Sequence, residues 1–252
     1  MIVFPNAKIN IGLNIVEKRE DGFHNIESVF YPVMDLFDVL EVVENEQLEF
    51  TSSGIEIPGS KVSNLCVKAF QLIATDYNIP FVKIHLHKVI PIGAGLGGGS
   101  ADAAFMLKVL NDLFELNLTI EQLIDYARKL GSDCAFFIKN KPVYAFNKGD
   151  KFENIALNLS NYELKIEYPN IHIGTTESYR GIVPQKSTKN LKILIQEPVI
   201  NWKDSIKNDF EDSVFPVHTK IEKFKLQMYI DGAIFASMTG SGSAVFGIFE
   251  KK

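Results

Sequence analysis

The stretch PIGAGLGGGSADAA, Pro91 to Ala104, holds five of the chain's 17 glycines between Gly93 and Gly99. Without Cβ atoms, neighbouring backbone N–H groups can converge on one point. A helix is expected to begin near Ser100. Its first turn would offer unpaired N–H groups and the positive end of the helix dipole. Together these suit a phosphate. A simple strand–helix turn needs fewer glycines, and each extra one adds backbone entropy lost on folding. Gly93 to Gly98 also fits GxGxxG after a strand. A dinucleotide fold is disfavoured, because the region about 20 residues on, where an acid should close a second strand, reads as a helix. A Walker loop is excluded, because no Gly-Lys-Ser/Thr follows.

Two other segments carry weaker signals. KLGSDCAFF places Asp133 in a turn after a helix, where an acid alone reads as a turn-former. MTGSGSAVFGIF, Met238 to Phe249, is a second small-residue loop entering a strand, and alone it fits a hairpin turn as well as a site.

The elements that must position these residues follow from periodicity. Ile2 to Val16 alternates as a strand that faces Lys8 and Asn10 the same way. Phe30 to Glu44 and Leu48 to Thr51 also read as strands. Asn64 to Tyr77 is an amphipathic helix. Phe81 to Val89 is a strand, with Val82, Ile84 and Leu86 alternating against Lys83, His85 and His87. Ala101 to Leu116 is a mostly buried helix, and Asp102 reads as an acid of its first turn. Thr119 to Leu130 is a helix with a Thr119/Gln122 capping box and Gly131 as its stop. Ala135 to Ile138 and Val143 to Phe146 are expected as strands. Beyond Phe152, Tyr162 to Glu167 reads as a strand and Ile221 to Tyr229 as a helix. Ala233 to Met238 and Ala244 to Phe249 read as strands. The order predicts an α+β protein in two domains, 1–150 and 151–252.

Bulk properties bound the function. The 252 residues can bury a sizeable core. The net charge of −5 disfavours a nucleic-acid binder. Cys66 and Cys134 have no metal-ligand spacing and are expected as reduced thiols. The N-terminus lacks the pattern of a signal peptide, and no apolar run reaches membrane-span length. A cytoplasmic protein is expected.

A glycine-serine loop before a helix, the Gly-Ser-Asp after it and the late TGSGSAVF loop together resemble the GHMP small-molecule kinases. PNAKINIGLNI (Pro5 to Ile15) followed by REDGFHNIESVF (Arg19 to Phe30) resembles one branch of them, which acts on 4-diphosphocytidyl-methylerythritol in the non-mevalonate isoprenoid route. NDFE, Asn208 to Glu211, resembles another patch of that branch.

This resemblance implies an N-terminal domain like domain 2 of ribosomal protein S5 and a ferredoxin-like C-terminal domain. It implies ATP, Mg²⁺ and transfer of phosphate to one hydroxyl of a cytidine diphosphate substrate. Asp133 matches the catalytic acid residue and Lys8 the lysine paired with it. Pro91, Ile92, Gly93, Ala94, Gly95, Leu96, Gly97, Gly98, Gly99, Ser100 and Ala101 match the ATP phosphate loop. Asn64, Leu65 and Lys88 fall where the family lines the adenine pocket. Asn10 and His24 match residues lining the substrate site. Phe23 and Tyr179 fall where aromatics stack on cytosine. No metal ligand is assigned. The resemblance leaves room for a homodimer.

The residue types suit the chemistry. Phosphoryl transfer is mostly positioning and charge neutralisation. Asp133 can accept the proton of the attacking hydroxyl, and Lys8 within about 4–6 Å would keep it ionised. The bland alternatives are a solvated Lys8, a core Phe23 and a surface His24. Two departures stand out. The family often has Ser-Ser where this chain has Ser100-Ala101. Relatives usually continue past Lys252 with a helix and a strand, so the C-terminal domain is expected to be short. Competing activities are another GHMP kinase, such as one for homoserine, and an ATP-dependent decarboxylase of the mevalonate branch. A non-catalytic nucleotide- or RNA-binding module is a third.

Overall fold

The computed structural model describes residues 1–185 and 189–251. The chain begins with strands β1 (Ile2–Val3), β2 (Asn6–Lys18), β3 (His24–Phe37), β4 (Val39–Glu44) and β5 (Glu49–Gly54). Helix α1 (Leu65–Asp76) and strand β6 (Val82–Lys88) lead to α2 (Gly98–Leu113), α3 (Ile120–Leu130) and α4 (Cys134–Lys139). Strands β7 (Val143–Phe146), β8 (Lys151–Asn154) and β9 (Tyr162–Glu167) follow. The short helices α5 (Thr175–Ser178), α6 (Leu191–Leu194) and α7 (Phe210–Val214) precede α8 (Thr219–Ile230), β10 (Phe235–Met238) and β11 (Val245–Glu250).

These elements form two compact units that interleave along the chain. One contains residues 1–8, 32–92 and 97–141; the other contains 9–31, 93–96 and 142–252. Among the described residues, no helix is long and apolar enough to cross a membrane.

The first unit is a sheet in the order β1-β4-β6-β5, packed with α1 and α2. β4 runs antiparallel to β6, and β5 runs parallel to it. β6 alternates as its sequence predicts. Val82, Ile84 and Leu86 are buried, while Lys83 and His87 are exposed. The same period carries Lys88 to the buried side. Apolar faces of α1 (Cys66, Val67, Ala69, Phe70, Ile73) and α2 (Ala103, Met106, Leu107, Leu110) complete the core.

Local chemistry sets the helix ends. Asn64 caps α1 by accepting the Cys66 N–H at 2.8 Å. The predicted capping box opens α3, with Gln122 N donating to Thr119 Oγ1 at 3.2 Å and Thr119 N to Gln122 Oε1 at 2.8 Å. Gly131 closes α3 from extended backbone, so its role there does not depend on glycine's left-handed freedom.

Ala135 to Ile138, expected as a strand, is helix α4. Cys134 to Ile138 are all buried, and a short apolar run of this kind has no period to separate helix from strand. Asp133 already has helical backbone at its start, and Asn140 ends it in the left-handed conformation at φ 51°.

The second unit holds the sheet β10-β11-β9 and most of the sheet β2-β3-β7-β8, residues 6–8 of β2 and 32–37 of β3 being assigned to the first unit. β11 is central in its sheet and pairs antiparallel with both neighbours. Leu13, Ile15, Phe210, Ile221, Met228, Met238 and Val245 are part of one apolar core. The two cysteines are free and buried.

Candidate active site

In the first unit, β2 delivers Lys8 into the interior with 3% exposure. A buried ammonium needs a partner. Lys8 Nζ lies 3.4 Å from Asp133 Oδ2, and the Asp133 side chain remains one-third exposed. The pair therefore has a closed cationic end and an open carboxylate. A solvated Lys8 is excluded by its burial. A hydroxyl brought to Asp133 could transfer its proton to the carboxylate, with Lys8 stabilising the charge.

The helix with the glycine-rich start lies on the same lysine. Gly97 is the N-cap of α2, at φ 72°. A Cβ at Gly97 would stand 3.0 Å from Lys8 Cγ and 3.1 Å from Phe137 Cζ. Both the backbone angle and the space thus require glycine. The first turn closes with Ala101 N donating to Gly97 O at 2.9 Å. The N–H groups of Gly98, Gly99 and Ser100 precede that closure and have no carbonyl four residues back within the helix.

Beneath that turn lies a buried charge cluster. Lys88 Nζ donates to Asp102 Oδ2 at 2.7 Å and forms a close ion pair with Asp38 Oδ2. Asp38 Oδ1 also accepts from Val89 N at 2.6 Å and Ile90 N at 2.8 Å. A Cβ at Gly98 would be 2.9 Å from both Lys88 Nζ and Ile90 Cγ2. Asp102 is not the first-turn acid expected from sequence, because α2 begins at Gly98. It sits one turn further in, is buried, and faces Lys88. Burial pushes its carboxyl up to about 7, against the opposing pull of Lys88. Burial also raises the thiols of Cys66 and Cys134. Asn64 and Leu65, half-buried at the start of α1, complete the candidate nucleotide residues of this unit.

In the second unit, the late small-residue loop grips the first half of the glycine segment. Ala244 N donates to Ala94 O at 3.1 Å, and Thr239 Oγ1 donates to Gly95 O at 3.2 Å. A Cβ at Gly95, which has φ 77°, would be 2.0 Å from Thr239 O. Asn208 secures the other side of the loop. Its Nδ2 donates to Met238 O at 2.8 Å and Gly240 O at 2.9 Å. Asn10 N donates to Thr239 Oγ1 at 2.9 Å, and Asn10 Nδ2 to Ser28 Oγ at 2.9 Å. The hairpin between β10 and β11 is therefore more than a turn, because it clamps Ala94, Gly95 and Asn10.

The aromatic candidates are also in this unit. His24 and Tyr179 stack on each other, with centroids 4.4 Å apart and planes 15° apart. Tyr179 in turn meets Phe210 edge-on at 4.8 Å. Burial, then the nearby Lys18, holds the His24 pKa below its ordinary value. Phe23 is 57% exposed, so it is not a core residue. Lys148 Nζ lies 4.8 Å from its ring centroid. The structure thus pairs Tyr179 with His24 rather than with Phe23.

Several residues at these sites escaped the sequence reading. Asp38 and His172 carry no local motif, and Ser28 lies within REDGFHNIESVF without being distinguished there. Each acquires its place through a partner far along the chain, such as the Asp38–Lys88 pair. His172 Nδ1 would lie 2.4 Å from a Cβ at Gly93. NDFE and TGSGSAVF were visible as motifs, but the Asn208 clamp between them was not.

Comparison with known proteins identifies the family. The family model for the GHMP kinases N terminal domain matches residues 64–141. A protein of Azobacteroides pseudotrichonymphae named 4-diphosphocytidyl-2-C-methyl-D-erythritol kinase is 50% identical over 252 residues, covering 100% of this chain and 94% of the relative. A protein of the same name from Cytophaga hutchinsonii is 50% identical over 253 residues, covering 100% of this chain and 93% of its own. A crystal structure of 4-(cytidine 5'-diphospho)-2C-methyl-D-erythritol kinase superposes with a TM-score of 0.85 at 29% identity, covering 98% of this chain and 90% of that one. Mevalonate kinase from Methanococcus jannaschii shares the fold, with a TM-score of 0.64 at 17% identity and coverage of 99% and 90%.

Proposed function

Since this chain belongs to the 4-diphosphocytidyl-2-C-methyl-D-erythritol kinase family, we propose that it transfers the terminal phosphoryl group of ATP to a hydroxyl of 4-diphosphocytidyl-2-C-methyl-D-erythritol. The observation that carries this reading is the Lys8–Asp133 pair beneath the N-cap of α2. A proton-accepting carboxylate and a phosphate-binding helix end share one lysine.

Asp133 takes the proton of the acceptor hydroxyl as the oxygen attacks phosphorus. Lys8 holds that carboxylate in place through the ion pair. The N–H groups of Gly98, Gly99 and Ser100 bind phosphate oxygens, and Gly93 to Leu96 continue the loop. Asn64 and Leu65 line the adenine side, whereas Lys88, read from sequence as a third residue there, is buried against Asp38 and Asp102. The described residues hold no group of three or more side chains suited to a metal ion. Mg²⁺ would enter as part of the substrate Mg-ATP and would neutralise charge on the phosphates.

Asn10 and His24 line the acceptor side, and Phe23 stacks on cytosine. Tyr179, one face of which is stacked on His24, is the second aromatic proposed for the cytosine. The family's two domains are assigned here to 1–150 and 151–252.

A ³¹P NMR experiment on Mg-ATP and the cytidine substrate tests this function. The expected result is ADP together with a new phosphomonoester on the acceptor. Inorganic phosphate without that ester would contradict a kinase, and release of CO₂ from a mevalonate-derived substrate would indicate the decarboxylase instead.

A further inference from the structure

Lys88 ends β6 in the buried phase of that strand, so its ammonium is withdrawn from water. Two carboxylates meet it, Asp38 at 0% and Asp102 at 3% exposure. They are not equivalent. Asp38 has both oxygens engaged, by Lys88 and by the Val89 and Ile90 N–H groups. Asp102 Oδ2 accepts from Lys88, but its buried Oδ1 has no hydrogen-bond partner. An unpartnered buried carboxylate oxygen is unfavourable for stability, so a purely structural account leaves Asp102 unexplained.

Helix geometry supplies a reason. Gly98 and Asp102 are four residues apart and lie one above the other on α2. Lys88 Nζ lies under both. It bonds Asp102, and it would be 2.9 Å from a Cβ at Gly98. The length of that ion pair therefore sets how closely the first turn of α2 sits on the end of β6.

We propose that Asp102 is a positioning residue for nucleotide binding: through Lys88 it fixes the first turn of α2, and with it the N–H groups of Gly98, Gly99 and Ser100. This rests on the reading of that turn as the ATP phosphate site. Asp102 itself touches no reacting atom.

The proposal has a pH signature. Burial raises the Asp102 carboxyl to about 7. The charges acting on it come from Lys88 on β6, whose pKa is raised by the two aspartates against burial, and from Asp38 before β4. Cys66 on α1 and Cys134 on α4 stay neutral thiols in this range, the latter pushed up to about 11. The charged residues of the other packed elements, Glu41 and Glu44 on β4 and Glu121, Asp125, Arg128 and Lys129 on α3, are exposed. Ionised Asp102 anchors Lys88; protonated Asp102 loses that ion pair, and the turn loosens.

The test is the KM for Mg-ATP and for the cytidine substrate between pH 6 and pH 8, in excess Mg²⁺, for the wild type, Asp102→Asn and Gly98→Ala. In the wild type, KM for Mg-ATP is expected to rise several-fold toward pH 6, while KM for the cytidine substrate stays within about twofold. Asp102→Asn should show the raised value already at pH 8, with no further pH dependence. A wild-type profile that is flat, or the same rise in Asp102→Asn, overturns the proposal. If that variant does not fold, the wild-type profile decides alone. Gly98→Ala separates the two levels. An unchanged KM for Mg-ATP there would overturn the phosphate-site reading and the proposal with it. A raised KM beside a normal Asp102→Asn profile would overturn the anchor only.

Discussion

Gly97 lies directly over the stem of Lys8, so close that a Cβ at residue 97 would stand 3.0 Å from Lys8 Cγ. The residue that starts α2 thus rests on the residue that holds Asp133. Positioning the phosphates and positioning the base are not independent in this protein.

Replacing Gly97 with Ala should disturb both functions. The left-handed backbone at φ 72° alone disfavours Ala by about 1–2 kcal/mol, and the crowding on Lys8 adds to that. Thermal unfolding should show a Tm lower by several degrees. Steady-state assays should show both a raised KM for Mg-ATP and a reduced kcat. A loss of kcat with KM unchanged would separate the two functions.

Asp133→Asn should keep nucleotide affinity and lose turnover by about 10²–10⁴-fold, the usual worth of a general base. The variant leaves the buried Lys8 ammonium facing an amide instead of a carboxylate, so the Tm should fall by a few degrees. Calorimetric titration with an ATP analogue and an ADP-release assay would check the two halves. Normal turnover in this variant would end the assignment of Asp133 as base.

Phe23→Ala tests the cytosine contact. Phe23 is 57% exposed, so removing it should leave the Tm unchanged. A stacked base contributes about 1–3 kcal/mol, and KM for the cytidine substrate should rise accordingly, with KM for Mg-ATP unaffected. An unchanged KM for the cytidine substrate would remove Phe23 from the site.

Much of this arrangement was legible before the fold. The alternation of Val82, Ile84 and Leu86 fixed β6, and the Thr119/Gln122 pair fixed the start of α3, because both signals are local. Lys8 and Asp133 could be paired only through a family resemblance, since 125 positions separate them. Helix α4 was not legible, because five consecutive buried residues leave no period to read. The Lys88 cluster was missed for another reason. The alternation of β6 already carried Lys88 to the buried side, but its partners come from a strand connection and from the second turn of a helix. The stacking of His24 on Tyr179 likewise joins distant segments.

Asn208→Ala should destabilise the protein without touching either substrate. Its side-chain amide is the donor to Met238 O and Gly240 O, both in the loop that grips Ala94 and Gly95. Removing the donor to Gly240 O, and leaving Met238 O with Ser237 Oγ at 3.2 Å, should lower the unfolding free energy by on the order of 1–3 kcal/mol. Urea unfolding would measure it, and a change below about 0.5 kcal/mol would contradict the clamp.

Asp102 should also shape stability against pH. Its folded pKa is raised above the unfolded value, so its favourable contribution is complete below the ordinary carboxylate range. That contribution is lost as pH rises through about 7. The urea midpoint of the wild type should therefore fall more steeply between pH 5 and pH 8 than that of Asp102→Asn. Parallel curves would show that Asp102 does not titrate there.

The central claim is tested most directly by ADP release from Mg-ATP with four acceptors in parallel: 4-diphosphocytidyl-2-C-methyl-D-erythritol, homoserine, mevalonate and galactose. The account predicts strong turnover with the cytidine substrate alone, abolished by Asp133→Asn. Turnover with another acceptor, or none with the cytidine substrate in a folded protein, would contradict it.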